Sequence, residues 1–396
     1  MREGRSEQHR TAGGRRPDTA GSRRMHWWAL LAATFVLFAA LTGCADFSSQ
    51  DRDQAAGQFS ANNDSFEQKQ KTPSPEPSAP QNPGPPPTGP CVDPDPQVIA
   101  TCLASTGGLM PGDDQATTTV VAERTTGKLI TAKRYGPQRA IASFDVDGSG
   151  DGGLVDFALS PTYSQDRLIY ALVTTASDNR VVRIAPGDVA KPILTGIPKG
   201  ATGNMGALYF RSPTELLVAT GDAGDPASAA NPTSLAGKLL SVTSFGSGAN
   251  PPPKILAAGF GSNVALCHND TGSVYVTDRT QTEDRLQAVG SGAPKVLWTW
   301  PDRPEVAGCA VSSGQIFVTT TRTQQILALT EPTRDKPTIT PPTVVLEKRY
   351  GALGRIVSST SGAMLFATVN KASGNPVGTD DRVVRFIPPA SSENRA

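Results

Sequence analysis

The chain has 396 residues, with 37 lysines and arginines against 36 aspartates and glutamates, and a formal net charge of +1. That balance, with no basic cluster in the body of the chain, argues against nucleic acid as a partner. A hydrophobic content of 37% beside only 18% charge, together with 39 glycines and 34 prolines, suits an all-β secreted domain with many turns.

Seven arginines and three acidic residues precede His26, and residues 27–40 (WWALLAATFVLFAA) form an uncharged run of 14. Such a run is too short to span a bilayer comfortably and has the length of a signal-peptide core. It ends in Leu41-Thr42-Gly43-Cys44. This ending resembles the bacterial lipobox, in which the cysteine thiol is acylated and becomes the mature N-terminus. The expectation is a lipoprotein signal peptide over 1–43 and a lipid anchor at Cys44, on the extracytoplasmic side of the cell membrane. Several acyl chains, at ~0.8 kcal/mol per buried methylene, make such an attachment effectively permanent. Ser22-Arg23-Arg24 hints at twin-arginine export, but the rest of that motif is missing and the route stays open. Processing leaves 30 basic groups against 33 acidic ones.

From Pro73 to Pro96 there are 11 prolines in 24 residues, behind a polar stretch with isolated Phe59 and Phe66. Residues 44–96 therefore read as the lipid anchor and a disordered linker. Its proline-rich part favours extended polyproline II at about 3.1 Å per residue and lifts the domain off the membrane. Five cysteines become four once Cys44 is acylated. In an oxidising compartment Cys91, Cys102, Cys267 and Cys309 read as two disulfides, with three pairings open. Proximity in sequence favours Cys91–Cys102. A metal site is the rival reading, opposed by the lack of a C-x-x-C motif and by a single histidine, His268, after processing.

Residues 97–390 repeat one unit six times, and 391–396 read as a disordered tail. Each unit holds a hairpin by alternation and turn chemistry. The hairpins cover 119–130, 168–184, 216–242, 274–289, 316–329 and 364–387. A shorter segment of small apolar residues precedes each one. These are Gly108-Leu109-Met110, then GLVDFAL from Gly153, GALYF from Gly206, VALC from Val264, GCAV from Gly308 and GRIV from Gly354. A small-residue strand ahead of two longer ones suits a wedge whose inner edge crowds a central axis. Spacings of 42 to 58 residues match propeller blades. The predicted fold is a six-bladed β-propeller, closed so that few strand edges stay exposed. Two packed sandwiches are the alternative. In a propeller Cys267 and Cys309 occupy matching positions on neighbouring inner strands, which favours their pairing.

Two stretches carry a family resemblance. One is Gly150–Pro161, GDGGLVDFALSP, with the strand that follows it. The other is Leu216–Leu240, where T-G-D, a polar loop and L-x-G-K-L-L recur in order. They resemble the pyrroloquinoline-quinone-dependent glucose/sorbosone dehydrogenases, and the likeness extends loosely over 105–390. With its lipobox, proline-rich tether and paired cysteines, the chain is similar to the mycobacterial lipoproteins of that kind. The resemblance implies a six-bladed propeller, quinone and calcium on the axial face, and a histidine base that takes a proton from a sugar hydroxyl. The matching position of that base is Gly203, in Gly203-Asn204-Met205-Gly206-Ala207-Leu208, and glycine offers no proton acceptor. The arginine and asparagine that hold the quinone match Gly261 and Ser262. What remains is acidic. Asp151 lies where the family has Gln or Glu facing the cofactor, and Asp222 matches the aspartate that orients the histidine.

The axial ligand-binding candidates are therefore Asp151, Asn204, Asp222 and Asp225, with Asp222 and Asp225 as weak calcium candidates and no catalytic residue assigned. Asp145, Asp147, Ser149, Asp151 and Asp156 resemble part of a calcium loop, but Gly152 and the lack of flanking helices favour a turn. His268, in CHNDTGS, reads as an exposed turn residue rather than a relocated base. Trp298 and Trp300 suit packing better than sugar stacking. The expected function is a lipid-anchored envelope propeller that binds a small-molecule or sugar ligand, or an envelope protein, and leans away from catalysis. The alternatives are a quinone- and calcium-dependent aldose dehydrogenase with a rearranged site and, by fold analogy alone, a calcium-dependent lactonase.

Overall fold

The computed structural model describes residues 87–246, 248, 250–290 and 293–389. The expected signal peptide, Cys44, the linker up to residue 86 and the tail 391–396 lie outside the described residues. Among the described residues no helix is long and apolar enough to cross a membrane.

The alternating segments build 24 strands in six four-stranded antiparallel sheets. A three-residue strand, β1 (Val98–Ala100), comes first in the chain. Blade 1 is β2 (Thr106–Pro111), β3 (Thr118–Glu123), β4 (Lys128–Lys133) and β5 (Arg139–Ser143). Blade 2 is β6 (Leu154–Leu159), β7 (Ile169–Thr174), β8 (Asn179–Ile184) and β9 (Lys191–Ile197). Blade 3 is β10 (Ala207–Ser212), β11 (Glu215–Ala219), β12 (Lys238–Val242) and β13 (Lys254–Ala258). Blade 4 is β14 (Val264–His268), β15 (Val274–Arg279), β16 (Asp284–Val289) and β17 (Lys295–Trp300). Blade 5 is β18 (Val306–Ser312), β19 (Gln315–Thr320), β20 (Gln325–Thr330) and β21 (Thr343–Glu347). Blade 6 is β22 (Leu353–Ser358), β23 (Met364–Thr368) and β24 (Val383–Phe386), with β1 as its outermost strand. The expected six-bladed propeller is the fold.

The six small-residue segments are the innermost strands, and the crowding is visible atom by atom. A Cβ on Gly107 would stand 2.5 Å from the Leu154 carbonyl oxygen, and one on Gly308 would stand 2.9 Å from Ile356 N. Neighbouring innermost strands thus approach more closely than side chains allow. Between blades the inward faces interlock. Val155, Leu172, Leu208, Leu216 and Val218 form one apolar layer between blades 2 and 3. Trp300 is buried with Leu286, Val306 and Val318 between blades 4 and 5, edge to face with Trp298 at 6.5 Å. Both tryptophans are packing residues. Each such Leu or Val stabilises the fold by roughly 1.5–3 kcal/mol when fully buried.

Ring closure uses the start of the domain. β1 pairs antiparallel with β24, Val98 opposite Val384 and Ala100 opposite Val383. Packing begins before residue 97. Asp93 is buried and its carboxylate accepts from Thr379 Oγ1 at 2.8 Å and Arg382 Nη1 at 3.2 Å. Two disulfides are present, Cys91–Cys102 and Cys267–Cys309, each with Cα atoms 5.5 Å apart. The second joins the innermost strands of blades 4 and 5.

Candidate functional site on the axial face

Each innermost strand has two ends, so the ring has two faces. Where these strands begin, the loops from one blade's outermost strand gather with the loops between second and third strands. Asp151 comes from the loop before β6, Gly203 and Asn204 from the loop before β10, and Ser262 from the loop before β14. Asp222 and Asp225 come from the long insertion between β11 and β12. The structure therefore places all four sequence-derived candidates on one face.

Asp151 and Asn204 are engaged with each other and with backbone, and Asp222 with backbone. The Asp151 carboxylate accepts from Gly203 N at 2.7 Å, Asn204 N at 3.2 Å and Asn204 Nδ2 at 2.7 Å. Asn204 is buried, and its Oδ1 accepts from Asn179 Nδ2 and Gly200 N, both at 3.0 Å. Asp222 is buried, with Oδ1 accepting from Gly224 N at 2.9 Å and its own N–H donating to the Gly261 carbonyl at 3.1 Å. Burial pushes the Asp222 carboxyl above its ordinary range, opposed by the Gly224 hydrogen bond and reinforced by the charges of Asp151 and Asp225. Asp225 turns away. It caps a short helix, α1 at the insertion (Pro226–Ala230), by accepting from Ala227 N at 3.0 Å. The fully buried Lys238 closes the same insertion, donating Nζ to the carbonyls of Ala229 and Ala236 at 2.7 Å.

The glycines are built into this arrangement. Gly203 has φ +79°, and a Cβ there would meet Gly224 N at 2.4 Å and Asp222 Oδ1 at 2.5 Å. A Cβ on Gly261 would lie 1.6 Å from the Arg279 carbonyl oxygen. Neither position has room for the histidine or arginine that the family resemblance implies. Ser262 donates its N–H to the same Arg279 carbonyl at 2.7 Å.

Two nearby cations do not replace the missing one. Arg279 donates Nε to Val306 O at 2.6 Å and Nη2 to Glu305 O at 3.0 Å and Thr321 Oγ1 at 2.6 Å. Arg124 is buried, with Nη1 donating to Gly150 O at 3.1 Å and to Gly152 O. Both guanidiniums are taken up by carbonyls of the next blade. A trianionic quinone needs cations that face it, and neither of these two does. The residues of the calcium-loop reading are likewise engaged by protein groups. Asp147 pairs with Lys199 and caps Ser149 N at 3.0 Å, Asp151 holds the Gly203 loop, and Asp156 belongs to β6. Among the described residues no group of three or more His, Cys, Asp or Glu side chains is placed to hold a metal ion.

His268 ends β14 at the opposite face, paired with Val274 across the hairpin. Four strand steps, about 13 Å, separate it from the axial end of its own strand. Its exposed ring stacks on Tyr209 with centroids 4.1 Å apart.

Sequence reasoning missed the axis itself. Arg355, in β22, is buried and donates Nη1 to Ala307 O at 2.8 Å, and Nη2 to Gly206 O at 2.8 Å and Val264 O at 2.9 Å. One side chain from blade 6 thereby ties blades 3, 4 and 5. Asp156 answers it from blade 2, accepting from Leu208 N at 2.8 Å. It keeps a little accessible surface but is enclosed by protein, which raises its carboxyl to about 6 against the pull of Arg355. The same burial lowers Arg355 to about 10. The available signal was a charge inside the small apolar segments GRIV and GLVDFAL.

Residues 109–294 match the family model described as Glucose / Sorbosone dehydrogenase. The PQQ-bound aldose sugar dehydrogenase of Streptomyces coelicolor is similar at 27% identity and a TM-score of 0.64, covering 73% of this chain and 96% of that one. A putative oxidoreductase (glucose dehydrogenase) of Thermus thermophilus shares the fold at 23% identity and a TM-score of 0.64, over 73% of this chain and 98% of that one. The soluble aldose sugar dehydrogenase of Escherichia coli in its apo-form does so at 15% identity and a TM-score of 0.59, with coverage of 73% and 98%. Among curated proteins no relative matches. The family model and the Streptomyces neighbour together support the glucose/sorbosone dehydrogenase family for this propeller.

Proposed function

We propose that this chain is a lipid-anchored, non-catalytic relative of the quinoprotein sugar dehydrogenases, kin to mycobacterial envelope lipoproteins. It is held at Cys44 on the extracytoplasmic side and binds a small molecule, a sugar or an envelope protein at its axial face. One observation carries the reading. The backbone at Gly203 and Gly261 closes the space in which a base and a quinone-binding cation would stand. A missing side chain alone leaves a vacancy that a neighbour can fill; a closed backbone does not. Two disulfides agree with an oxidising compartment.

The test combines binding with turnover. The purified chain, given pyrroloquinoline quinone and calcium, is expected to show no rise in melting temperature and no dye reduction with aldoses. A saturable thermal shift with sugar-dependent dye reduction would overturn the proposal and restore the dehydrogenase reading. Lactone hydrolysis that depends on calcium and vanishes in Asp222→Ala would replace it with the hydrolase reading. Binding itself is read by capturing envelope ligands on the immobilised propeller. Retention must fall when the Asp222–Lys238 insertion is shortened; unchanged retention removes the axial face as the binding surface.

A further inference from the structure

The two disulfides differ in a way that gives one of them a second role. Cys267 and Cys309 are 6% and 2% exposed, inside the core between blades 4 and 5. Cys91 is exposed and Cys102 is half-buried. A cavity of about 270 Å³ opens beside Cys91, lined also by Pro87, Val92, Ala100, Tyr135 and Gln138. Both half-cystines of this pair have left-handed backbone, φ 64° at Cys91 and 54° at Cys102, where L side chains are disfavoured. An accessible bond between two strained residues is the one an external thiol reaches and opens first.

What that bond holds is the closure of the ring. It closes the segment that carries β1, whose register with β24 holds two residue pairs beside a bond from Arg385 N to Gln97 O at 2.7 Å. Just beyond Cys102 the chain is laced to the β23–β24 loop at the axial face. Cys102 N donates to Thr379 O at 2.8 Å, while Leu103 and Asp381 exchange N–H···O bonds of 3.0 and 3.2 Å. Lys371 Nζ donates to Leu103 O at 2.6 Å. The segment therefore links an exposed disulfide to one side of the binding face.

We propose that Cys91–Cys102 is a redox latch whose reduction loosens residues 91–105 and the 369–382 loop, while Cys267–Cys309 stays closed. The reductant is a dithiol. One of its thiolates attacks a sulfur of the Cys91–Cys102 bond and forms a mixed disulfide, and its second thiol resolves that bond. Two electrons and two protons pass to Cys91 and Cys102, which become thiols, and the dithiol leaves as its own disulfide. Asp95 keeps the segment from leaving altogether, since its Oδ2 accepts from Arg349 Nη2 and Tyr350 OH, both at 2.8 Å. Reduction thus opens the latch without unfolding the ring. The inference does not depend on whether the axial face is catalytic.

Titration of the full oxidised chain with dithiothreitol, trapped by alkylation and read by peptide mass, gives the order of opening. Cys91 and Cys102 are expected to label together at a reductant concentration at least about tenfold below that needed for Cys267 and Cys309. At that point amide exchange over 98–105 and 369–382 should rise on the order of a hundredfold, with β14 and β18 unchanged. Simultaneous opening of both bridges, or earlier opening of Cys267–Cys309, overturns the latch. Selective reduction without faster exchange at 369–382 overturns its coupling to the axial face, and with it the proposal. The double variant Cys91→Ser/Cys102→Ser should show the fast exchange without reductant. Should it fail to fold, the titration of the unmodified chain still decides.

Discussion

Blades 3 to 5 and blades 1 to 3 meet at the axis through opposite chemistry. On one side the Arg355 guanidinium reaches the carbonyls of Gly206, Val264 and Ala307. On the other the Asp156 carboxylate accepts from Leu208 N and lies against Gly108, where a Cβ would meet its Oδ1 at 1.8 Å. A planar fork of five donors can satisfy several strand ends at once, whereas a carboxylate only accepts and needs a neighbour small enough to let it in. The two sides are therefore unequal. Arg355 bonds the carbonyls of three strands at once, and Asp156 mainly supplies a countercharge.

The sharpest way to break this comparison is Arg355→Met. It leaves three buried carbonyls short of a donor and Asp156 without its cation. Each buried carbonyl left without its donor costs about 1–3 kcal/mol, so the three together cost several. That is a large share of the 5–15 kcal/mol typical of a domain. Urea unfolding should show the midpoint falling accordingly, and Arg355→Lys, which keeps the charge but loses the fork, should fall between. A change below ~1 kcal/mol in Arg355→Met would mean the axis is held by its apolar layers alone.

Much of the ring was legible beforehand, because a blade writes two periodicities into the chain. The alternation of LIYALVTT and IFVTTT marks second strands, and runs such as GCAV and GRIV mark strands too crowded for large side chains. The outermost strands escaped, being short, half-exposed and weakly alternating. Their signal was proline. Pro96, Pro137, Pro192, Pro253, Pro294 and Pro342 each fall at or within two residues of the start of β1, β5, β9, β13, β17 and β21. Proline lacks an N–H and is tolerated only on an edge. At the site, sequence matching located the right loops but not what the side chains do there. Asp151 and Asn204 bond to each other across a gap of 53 positions, and nothing local in either segment announces it.

The Asp156 side is tested by pH. Asp156 and Asp381, pushed up by burial, both stand near 6 in the fold against an ordinary 3.8. A raised folded-state value means the fold binds the proton more tightly. Their contribution is therefore fully present below 3.8 and is lost as pH rises through about 6. Stability should accordingly rise between pH 8 and pH 5, by roughly 1–2 kcal/mol from Asp156, and the melting temperature with it. Below about pH 4 the trend reverses as Asp95, Asp113 and Asp178 are protonated, since the hydrogen bonds they accept hold them below the ordinary range against burial. Asp156→Asn should flatten the rise and be neutral or mildly stabilising at pH 8. An unchanged slope in that variant would show that Asp156 does not carry the effect.

Gly203→Ala sharpens the comparison between axis and rim. The left-handed φ costs a residue with a Cβ about 1–2 kcal/mol, and the contacts with Gly224 N and Asp222 Oδ1 add to it. Chemical denaturation should register a loss of that order. Gly203→His should be destabilised at least as much and, on the proposed reading, show no aldose oxidation with quinone. Wild-type stability in both would show that the loop yields easily and that a base fits there after all.

The smallest effect is expected at His268, and its smallness is informative. The ring is exposed, stacks on Tyr209, and hydrogen-bonds only Asn269 O at 3.3 Å. Surface changes of this kind usually stay within ~0.5 kcal/mol. Ligand retention on the axial face should be unchanged in His268→Ala, because the residue sits at the far end of its strand. Loss of binding or of any turnover in that variant would mean that this end of β14 belongs to the functional surface. It would also give the described residues a working imidazole at the end of the ring opposite Asp151 and Asp222.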